Sequence, residues 1–337
     1  MEFSCSVVPN GDSTLLRSSA VLAEHLGYGR FWVPDQHFLG DPFVILGDLA
    51  RHVSINLGLA LTSPFSRHPV QIARAMATVC QLDDQPRDWI LGIGRGNSNL
   101  VLGPLGVDAG ASVTRMIDGV AAIKRLLAGD TVEPTASRLV AEPVRLGLDP
   151  VGCSVYVGTR GPTTIRRAVA VADGVIIESM FRPDLAQWCR SILDESATNG
   201  FPHVSWQAVF VTEPGHRIPD DVRAFAAMLL RTTSPSVLKR MNVGEALIEK
   251  AAVGMVRAED LTDAEVRTFV AVGSPAELRD AVLGAEAAGI TAWSSIFIDS
   301  RGQSAAEGMT RFAESVIEPL RRRVASGRTE HEAHRTG

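Results

Sequence analysis

The sequence predicts an α/β fold, a (β/α)8 TIM barrel with a helical insertion after strand seven. Short apolar runs typical of β-strands alternate with longer helical patterns from the N-terminus onward, which indicates parallel βαβ units rather than hairpins. Roughly eight such units follow one another, and eight is the number that closes a barrel. An open doubly wound sheet is the alternative. That fold carries G-x-G-x-x-G after its first strand, whereas residues 9–12 here are Pro-Asn-Gly-Asp.

Turn and capping residues delimit the elements in order. Asp12 or Ser13 can cap the first helix, which Gly27 ends. Pro42 and Pro69 occupy the first positions of the next two helices, where a missing N–H costs nothing. The predicted strands are residues 2–8, 31–33, 55–61, 89–93, 155–157, 175–177, 206–211 and 292–298.

The C-terminal third departs from this alternation. Residues 214–272 are helical in pattern and too long for one connection, so we expect them to form an insertion. The stretch at 274–277, Ser-Pro-Ala-Glu, is a capping box that begins another helix. Residues 325–337 are small and polar, and we expect a disordered tail there. The sequence therefore predicts one domain over residues 1–324.

Composition and charge exclude several classes of protein. The chain has 337 residues, of which 45% are hydrophobic and 21% charged, as in ordinary globular proteins. Its net charge is −5 and its basic residues are scattered, which argues against a nucleic-acid partner. No apolar window reaches the ~18 residues that a membrane span needs, and no signal-type segment opens the chain. We expect a soluble cytoplasmic protein without a membrane partner.

The cysteines indicate neither a disulfide framework nor a metal site. The chain has four cysteines without C-x-x-C spacing, each in or beside an apolar run, and they are Cys5, Cys80, Cys153 and Cys189. We expect buried or half-buried thiols in a reducing compartment, and no bound metal.

The active site of a barrel lies at the C-terminal ends of its strands, so the loops that follow the strands carry the candidate residues. After strand two come Asp35 and His37, which could act as general acid and base or could hydrogen-bond a ring edge. An Asx-turn with a helix-capping Asp35 is the structural alternative. After strand three, residues 62–69 combine hydroxyls with Arg67 and His68, although this loop could simply lead into the helix at 69.

Two glycine-containing loops favour a phosphorylated cofactor. After strand four come Gly94, Arg95, Gly96 and Asn97, where glycines permit close approach of the backbone and Arg95 offers a planar fork of donors. A tight βα turn would explain the same glycines. After the next strand, a loop precedes a helix N-terminus that attracts anions, although its last threonine could be only a helix cap. The residues of this second loop are Gly158, Thr159, Arg160, Gly161, Pro162 and Thr163.

These loops carry a family resemblance. Residues 27–35, 61–69, 91–98, 156–174 and 272–275 resemble, in order and spacing, the motifs of the bacterial luciferase-like monooxygenase superfamily. Within it, the chain is most similar to the methylenetetrahydromethanopterin reductase branch, whose pattern after strand four is G-x-G-R-G-(D/N)-S. That branch mostly uses the deazaflavin coenzyme F420, whereas luciferase and the alkane monooxygenases use reduced FMN.

The resemblance implies roles for individual residues. Arg95 and the 158–163 loop would hold phosphate, and Ala60, Leu61, Thr62 and Ser63 at the end of strand three would back the cofactor ring. In the deazaflavin branch this strand end carries a non-prolyl cis peptide bond, which would lie here between Ala60 and Leu61.

Two departures from the family pattern leave the proton donor open. The essential His of the luciferases is replaced by Gln36, which we place among the cofactor-contacting residues, and His37 lies beside it. An acid found in some deazaflavin enzymes at the end of strand one is Ser6 here. Asp35, His37 and Glu178 are the remaining candidates.

The predicted activity is F420-dependent reduction of a C=C, C=N or C=O bond in a small-molecule, peptide or natural-product substrate. The alternatives are an FMN-dependent monooxygenase that uses oxygen and, outside enzymology, a binding subunit without a cofactor. We expect a homodimer, from the family and from the apolar faces of the helices that follow strands two and three.

Overall fold

The computed structural model describes residues 1–96, 101–107, 113–179, 181–196 and 200–323. The strands are β1 Glu2–Val7, β2 Arg30–Val33, β3 Asn56–Thr62, β4 Trp89–Ile93, β5 Cys153–Gly158, β6 Gly174–Glu178, β7 His203–Val211, β8 Val270–Gly273 and β9 Ala292–Phe297. The helices are α1 Ser13–His25, α2 Pro42–Ala50, α3 Pro69–Leu82, α4 Val113–Leu127, α5 Pro162–Ala168, α6 Pro183–Ser196, α7 Asp220–Thr232, α8 Pro235–Arg240, α9 Glu245–Ala252, α10 Asp263–Phe269, α11 Pro275–Ala287 and α12 Ala305–Phe312.

Eight parallel strands close into a barrel, which confirms the predicted (β/α)8 fold. Strands β1 to β7 pair in sequence order, and β9 pairs with both β7 and β1 to complete the ring. The helices that follow the strands cover the outside. All strands point the same way, so the loops after β2 to β6 meet at one end, which we call the mouth of the barrel.

The insertion after strand seven is also confirmed, with one addition. Helices α7 to α10 follow β7, and the chain then returns as β8, which pairs with Ala208 to Val211 of β7. The sequence assigned residues 270–272 to the helical insertion, but they form this short strand because they find a free edge at the end of β7. The predicted tail at 325–337 lies outside the described residues.

Local capping chemistry sets the helix boundaries as predicted. The Asp12 carboxylate accepts the N–H of Thr14 at 2.8 Å and caps α1. Ser274 and Glu277 form the predicted capping box of α11. These contacts satisfy backbone donors that the first turn of a helix leaves without partners.

The barrel interior is filled by side chains, so a ligand has to bind above it. Trp32 and Trp206 meet edge to face with their ring centroids 5.4 Å apart, and Trp32 Nε1 donates to Ser4 Oγ at 3.0 Å. A Cβ at Gly58 would lie 2.5 Å from the Trp32 ring, so only glycine fits beside it. This packing closes the centre of the barrel and leaves the mouth as the place for a site.

The opposite end is closed by buried charge. Arg87 and Asp83 pair at 2.8 Å with both side chains 1% exposed, and Arg87 also donates to the carbonyl of Ala50 at 3.0 Å. A buried ion pair is stable only when its remaining donors and acceptors are satisfied, and these contacts satisfy them.

Within the described ranges, no helix is long and apolar enough to cross a membrane.

Candidate active site

Asp35 and His37 form a pair in the loop between β2 and α2. His37 Nδ1 lies 3.3 Å from Asp35 Oδ1, and the side chains are 11% and 6% exposed. The same carboxylate oxygen accepts the backbone N–H of His37 at 3.2 Å, which is the Asx-turn that the sequence allowed. Helix α2 is capped by Asp41 instead, which accepts from the N–H of Phe43 at 2.9 Å. The pair is therefore not required to begin the helix.

The Asp35–His37 pair opens onto a cleft of about 170 Å³. The β3–α3 loop contributes Ser66 and Arg67 to its wall, and Leu105 closes another side. The sequence predicted that residues 62–69, which include Ser66, and residues 99–112, which include Leu105, lie near the site, but nothing in their local pattern shows that they meet the Asp35–His37 loop. Gln36 is exposed and lines a neighbouring cleft between the β1–α1 and β2–α2 loops.

Arg67 and Asp41 are paired in the wall of this cleft. Arg67 forms an ion pair with Asp41, and its guanidinium stacks 4.9 Å from the ring centroid of Phe43. Partial burial opposes ionisation of Asp41, but hydrogen bonds from Arg67 and from the N–H of Phe43 outweigh it and lower the pKa of Asp41. These two charges thus neutralise each other.

The end of β3 carries the predicted non-prolyl cis peptide bond between Ala60 and Leu61, which is confirmed. The pairing of β3 with β4 shifts register between Leu59 and Thr62. The Leu61 side chain lies over glycines of two neighbouring strands. A Cβ at Gly158 would lie 2.1 Å from Leu61 Cδ1, and one at Gly92 would lie 2.8 Å from Leu61 Cδ2. These glycines are therefore required by Leu61, before any ligand is considered.

The side-chain hydroxyls of residues 62–66, which follow the cis peptide bond, differ in whether they have hydrogen-bond partners. Ser63 Oγ donates to the Arg95 carbonyl at 2.8 Å, and Ser66 Oγ donates to the Ser63 carbonyl at 3.1 Å. Thr62 Oγ1 is buried and has no hydrogen-bond partner within the described part of the chain. A buried hydroxyl without a partner is costly, and Gln207 Nε2 and Ser294 Oγ share this status within the described residues.

The β4–α4 loop exposes the side chain of Arg95. The N–H of Gly94 donates to the Thr62 carbonyl at 2.8 Å, and Gly96 has a φ of +81°, a conformation that favours glycine. Arg95 itself is exposed and forms no ion pair with any residue that the structure describes. An exposed guanidinium that has no ion-pair partner among the described residues suits an anionic group. Asn97 lies outside the described residues.

The β5–α5 loop offers fewer donors than the sequence suggested. Thr159 Oγ1 accepts the N–H of Gly161 at 3.0 Å, and Pro162 has no N–H to give. Gly161 is the N-cap of α5 and makes no side-chain capping bond, so Thr163 is not the cap. Thr163 is exposed, and its hydroxyl and backbone N–H remain at this helix end as candidate donors.

Arg160 and Glu178 form an ion pair that sequence reasoning did not foresee. Arg160 Nη2 lies 3.0 Å from Glu178 Oε2, and the side chains are 12% and 29% exposed. The guanidinium also contacts the C-terminal end of α7, where Thr232 Oγ1 accepts at 3.1 Å. Both residues were predicted from their places at strand ends, but their side chains face each other and the insertion.

The sequence model of the luciferase-like monooxygenase family matches residues 7–292. The chain belongs to this family. The family assignment confirms the resemblance inferred from the motifs, and the protein is an oxidoreductase.

Two relatives of this family member are reductases. The 5,10-methylenetetrahydromethanopterin reductase of Archaeoglobus fulgidus is 23% identical over 307 residues, which are 86% of this chain and 92% of that protein. The coenzyme F420-dependent tetrahydromethanopterin reductase of Methanopyrus kandleri superposes with a TM-score of 0.76 at 18% identity, over 94% of this chain and 98% of that one.

A monooxygenase of the family has a similar fold. The monooxygenase RslO1 of Streptomyces bottropensis superposes with a TM-score of 0.69 at 18% identity, over 95% of this chain and 100% of that one. At these identities the superpositions show the shared barrel, and the shared barrel does not separate reductases from monooxygenases.

Ser6, a departure from the family pattern, and His68, a candidate in the β3–α3 loop, have structural roles in this luciferase-like chain. Ser6 Oγ donates to the Trp32 carbonyl at 2.9 Å and is buried. His68 Nδ1 accepts the N–H of Val70 at 3.2 Å and caps α3, while its Nε2 contacts the Leu139 carbonyl at 2.6 Å. Since Nδ1 accepts, Nε2 carries the proton in this arrangement. Both side chains are therefore engaged away from the cleft.

Proposed function

We propose that the protein is a coenzyme F420-dependent reductase that transfers a hydride to a C=C, C=N or C=O bond of a small molecule. The observation that carries the proposal is the end-to-end match to a reductase, which spans 86% of this chain and 92% of the relative. A structure of similar fold is named for coenzyme F420, and it matches over nearly its whole length. The length of these matches matters because a hydride-transfer site is assembled from many loops of the barrel.

The residues at the mouth fit a phosphorylated ring cofactor. Arg95 would hold the phosphate, because its guanidinium is exposed and forms no ion pair within the described residues. Gly94 and Gly96 let this loop pack against Leu61 and Ser63 beside Arg95, and Thr163 adds donors from the β5–α5 loop. Thr62 Oγ1 would gain the partner that it lacks, beside Ala60, Leu61 and Ser63. When bound, the deazaflavin ring supplies the hydride.

Asp35 and His37 are the residues that we assign to proton transfer. Asp35 Oδ1 lies 3.3 Å from Nδ1 of His37, close enough to orient the imidazole, and Nε2 would then exchange a proton with the substrate. Glu178 is less suited to this role because its carboxylate is paired with Arg160. Gln36 faces the neighbouring cleft and stays a prediction as a cofactor contact.

The cleft beside this pair suggests a substrate with an apolar body. Leu39 and Leu105 line it and are each 44% exposed, and Phe38 in the same loop is 58% exposed. Exposed apolar side chains grouped around a polar cleft are typical of a ligand-binding rim. Because the Arg67 cation is already paired with Asp41, an uncharged carbonyl, imine or activated alkene fits better than a polyanion.

An FMN-dependent monooxygenase is the second candidate function. It is favoured by the matching family and by the similar fold of RslO1. Such an enzyme would consume oxygen with reduced FMN, whereas the proposed reductase would not. A cofactor-free binding subunit would bind neither cofactor, which is at odds with the exposed Arg95 and with a Thr62 hydroxyl that has no partner among the described residues.

Titration of the purified protein separates these candidates. We expect reduced F420 to bind and to be oxidised anaerobically when an apolar ketone, imine or enone is added. Reduced FMN with oxygen should give no turnover of the same compound. If activity requires oxygen and FMN, the monooxygenase replaces the reductase. Failure of both cofactors to bind would support the binding subunit.

We also propose a homodimer. Helix α2 follows strand two and buries Phe43, Leu46 and Leu49, while Val44 on the same helix is 73% exposed. An exposed apolar residue on an otherwise apolar helix suits an interface between copies. Light scattering at micromolar concentration should give twice the mass of one chain, and the mass of a single chain would refute this.

A further inference from the structure

Both terminal nitrogens of the Arg160 guanidinium are engaged between the barrel and the insertion. Besides the Glu178 carboxylate at 3.0 Å, it contacts Thr232 Oγ1 at 3.1 Å, Thr233 Oγ1, and the Leu229 carbonyl at 3.5 Å. Only 12% of the side chain is exposed. A guanidinium has five N–H donors in a fixed fork, and four acceptors around it leave little for another ligand.

The acceptors on α7 are oriented for a cation. Thr232 Oγ1 and Thr233 Oγ1 donate their own protons to the Leu229 carbonyl, at 2.9 Å and 2.7 Å. Each hydroxyl therefore turns its lone pairs toward Arg160. This group stands at the C-terminal end of a helix, where the last carbonyls are without intrahelical partners and a positive charge is stabilising.

Neighbouring loops fasten the rest of the insertion in the same way. Ser179 Oγ, directly after β6, donates to the Phe269 carbonyl at the end of α10 at 3.3 Å. Arg182, before α6, donates to the Met241 carbonyl at the end of α8 at 3.3 Å. Three helices of the insertion thus present a C-terminal carbonyl to a polar side chain from the β5 and β6 ends. Of these three side chains, Arg160 is the one that belongs to the predicted cofactor-binding loop, residues 158–163.

We infer that Arg160 and Glu178 are positioning residues that latch the C-terminal end of α7 over the mouth of the barrel. The Arg160 side chain is then not a phosphate ligand, although its backbone belongs to the loop that faces the cofactor. One residue joins the cofactor loop to the wall of the insertion, so the two move together. The latch rests on the proposed function in one respect only, namely that F420 is the ligand faced by the 158–163 loop.

Hydrogen exchange of the full chain tests the latch without any activity. In Arg160→Gln, the amides at the C-terminal end of α7 should exchange at least about tenfold faster, because charge-assisted hydrogen bonds are lost. Arg166→Gln is the matched control, since Arg166 belongs to α5 and pairs with Glu195 at 3.3 Å on the surface. It should leave exchange in α7 unchanged. Unchanged exchange in Arg160→Gln would overturn the latch.

A second variant separates the latch from general destabilisation. Thr232→Val with Thr233→Val keeps the shape of the helix end but removes two of the four acceptors of Arg160, together with the hydroxyl bonds to the Leu229 carbonyl, and leaves the Glu178 pair in place. It should raise exchange at the same amides. Arg160→Lys keeps the positive charge but lacks the planar set of N–H donors, so we expect it to retain only part of the exchange protection at the α7 end. If Arg160→Gln does not fold, hydrogen exchange of the Thr232→Val, Thr233→Val double variant is the test. Protection of the α7 end equal to that of the wild type would then refute the latch.

Binding of reduced F420 distinguishes a positioning role from a ligand role. We expect F420 to slow exchange at the α7 end of the wild type, and Arg160→Gln to lose this response while its Kd rises less than threefold. A rise above tenfold with unchanged exchange in α7 would make Arg160 a direct ligand. If F420 does not bind the wild type, the proposed function fails, whereas the difference between variants without cofactor still tests the latch.

Discussion

The two sides of the barrel mouth use their charged residues differently. On the β2–β3 side, Asp35 and His37 face a cleft beside exposed Leu39 and Leu105. On the opposite side, Arg160 and Glu178 lie between the strand ends and α7. Both pairs occupy equivalent places after strands. Position at a strand end therefore nominates a residue, but the partners of its side chain decide whether it is available for chemistry.

The largest expected effect lies on the open side. His37→Gln should lower kcat for F420-dependent reduction by about 10² to 10⁴, the range for loss of a positioned acid or base. His52→Gln is the matched control, because His52 also lies near a carboxylate, Asp48, at 3.5 Å but is 44% exposed on the outer surface. Steady-state kinetics of the three proteins decides. Equal kcat in wild type and His37→Gln would remove His37 from the mechanism.

A charge used only for structure should show itself in stability. Asp83→Ala leaves Arg87 buried without its carboxylate and should lower the free energy of unfolding by about 3–5 kcal/mol. Asp84→Ala breaks the exposed pair with Arg51 and should cost less than about 1 kcal/mol. Denaturant unfolding measures both. Similar losses in the two variants would contradict the distinction between buried and exposed pairs.

Arg95 should affect binding and leave stability alone. Arg95→Ala should raise the Kd for F420 by about ten- to a hundredfold, because a charge-assisted phosphate contact is removed. Arg74→Ala removes an exposed arginine from the outer face of α3 and serves as the control. Calorimetric titration checks the two Kd values. A folded Arg95→Ala protein that binds F420 as tightly as wild type would place the phosphate elsewhere.

The smallest expected effect concerns pH. Hydrogen bonds from Arg67 and Phe43 lower the pKa of Asp41 below its ordinary 3.8 in the folded chain, against the opposing effect of partial burial. The stabilisation is therefore fully present above the unfolded pKa and is lost as the pH falls below 3.8 through the folded pKa.

Asp41→Asn should accordingly flatten the acid limb of the stability curve by less than about 1 kcal/mol, since the pair is partly exposed and screened by solvent. Unfolding midpoints between pH 2 and pH 7 are the measurement. A wild-type and variant difference that stays constant over this range would show that Asp41 does not titrate as described.

The sequence predicted the features that depend on short-range chemistry. These features depend on residues that are close together in the sequence. They are the periodicity of strands and helices, the N-cap at Asp12 and the capping box at Ser274, and each was confirmed. The latch was not predictable in this way, because Arg160 and Thr232 lie 72 residues apart. The strand β8 was missed for the same reason, since its pairing partner Val211 precedes it by a whole insertion.

The site was predicted as a set of loops rather than as a set of contacts. Family resemblance placed the Ala60-Leu61 bond correctly. It could not show that Thr62 Oγ1 is left without a partner while Ser63 is satisfied, because that depends on where the Arg95 carbonyl lies. Nor could it tell that Asp35 contacts His37 while Glu178 contacts Arg160.

The packing of Leu61 over Gly92, Gly94 and Gly158 bears on how this barrel can diversify. A Cβ at Gly94 or Gly158 would meet the Leu61 side chain, whereas one at Gly92 would also meet the backbone oxygen of Leu59 at 2.7 Å, so none of the positions can gain bulk alone. To reshape the floor of the pocket, Leu61 would have to become smaller before Gly94 or Gly158 could become larger. Volume here can be exchanged between strands, but it cannot simply be added.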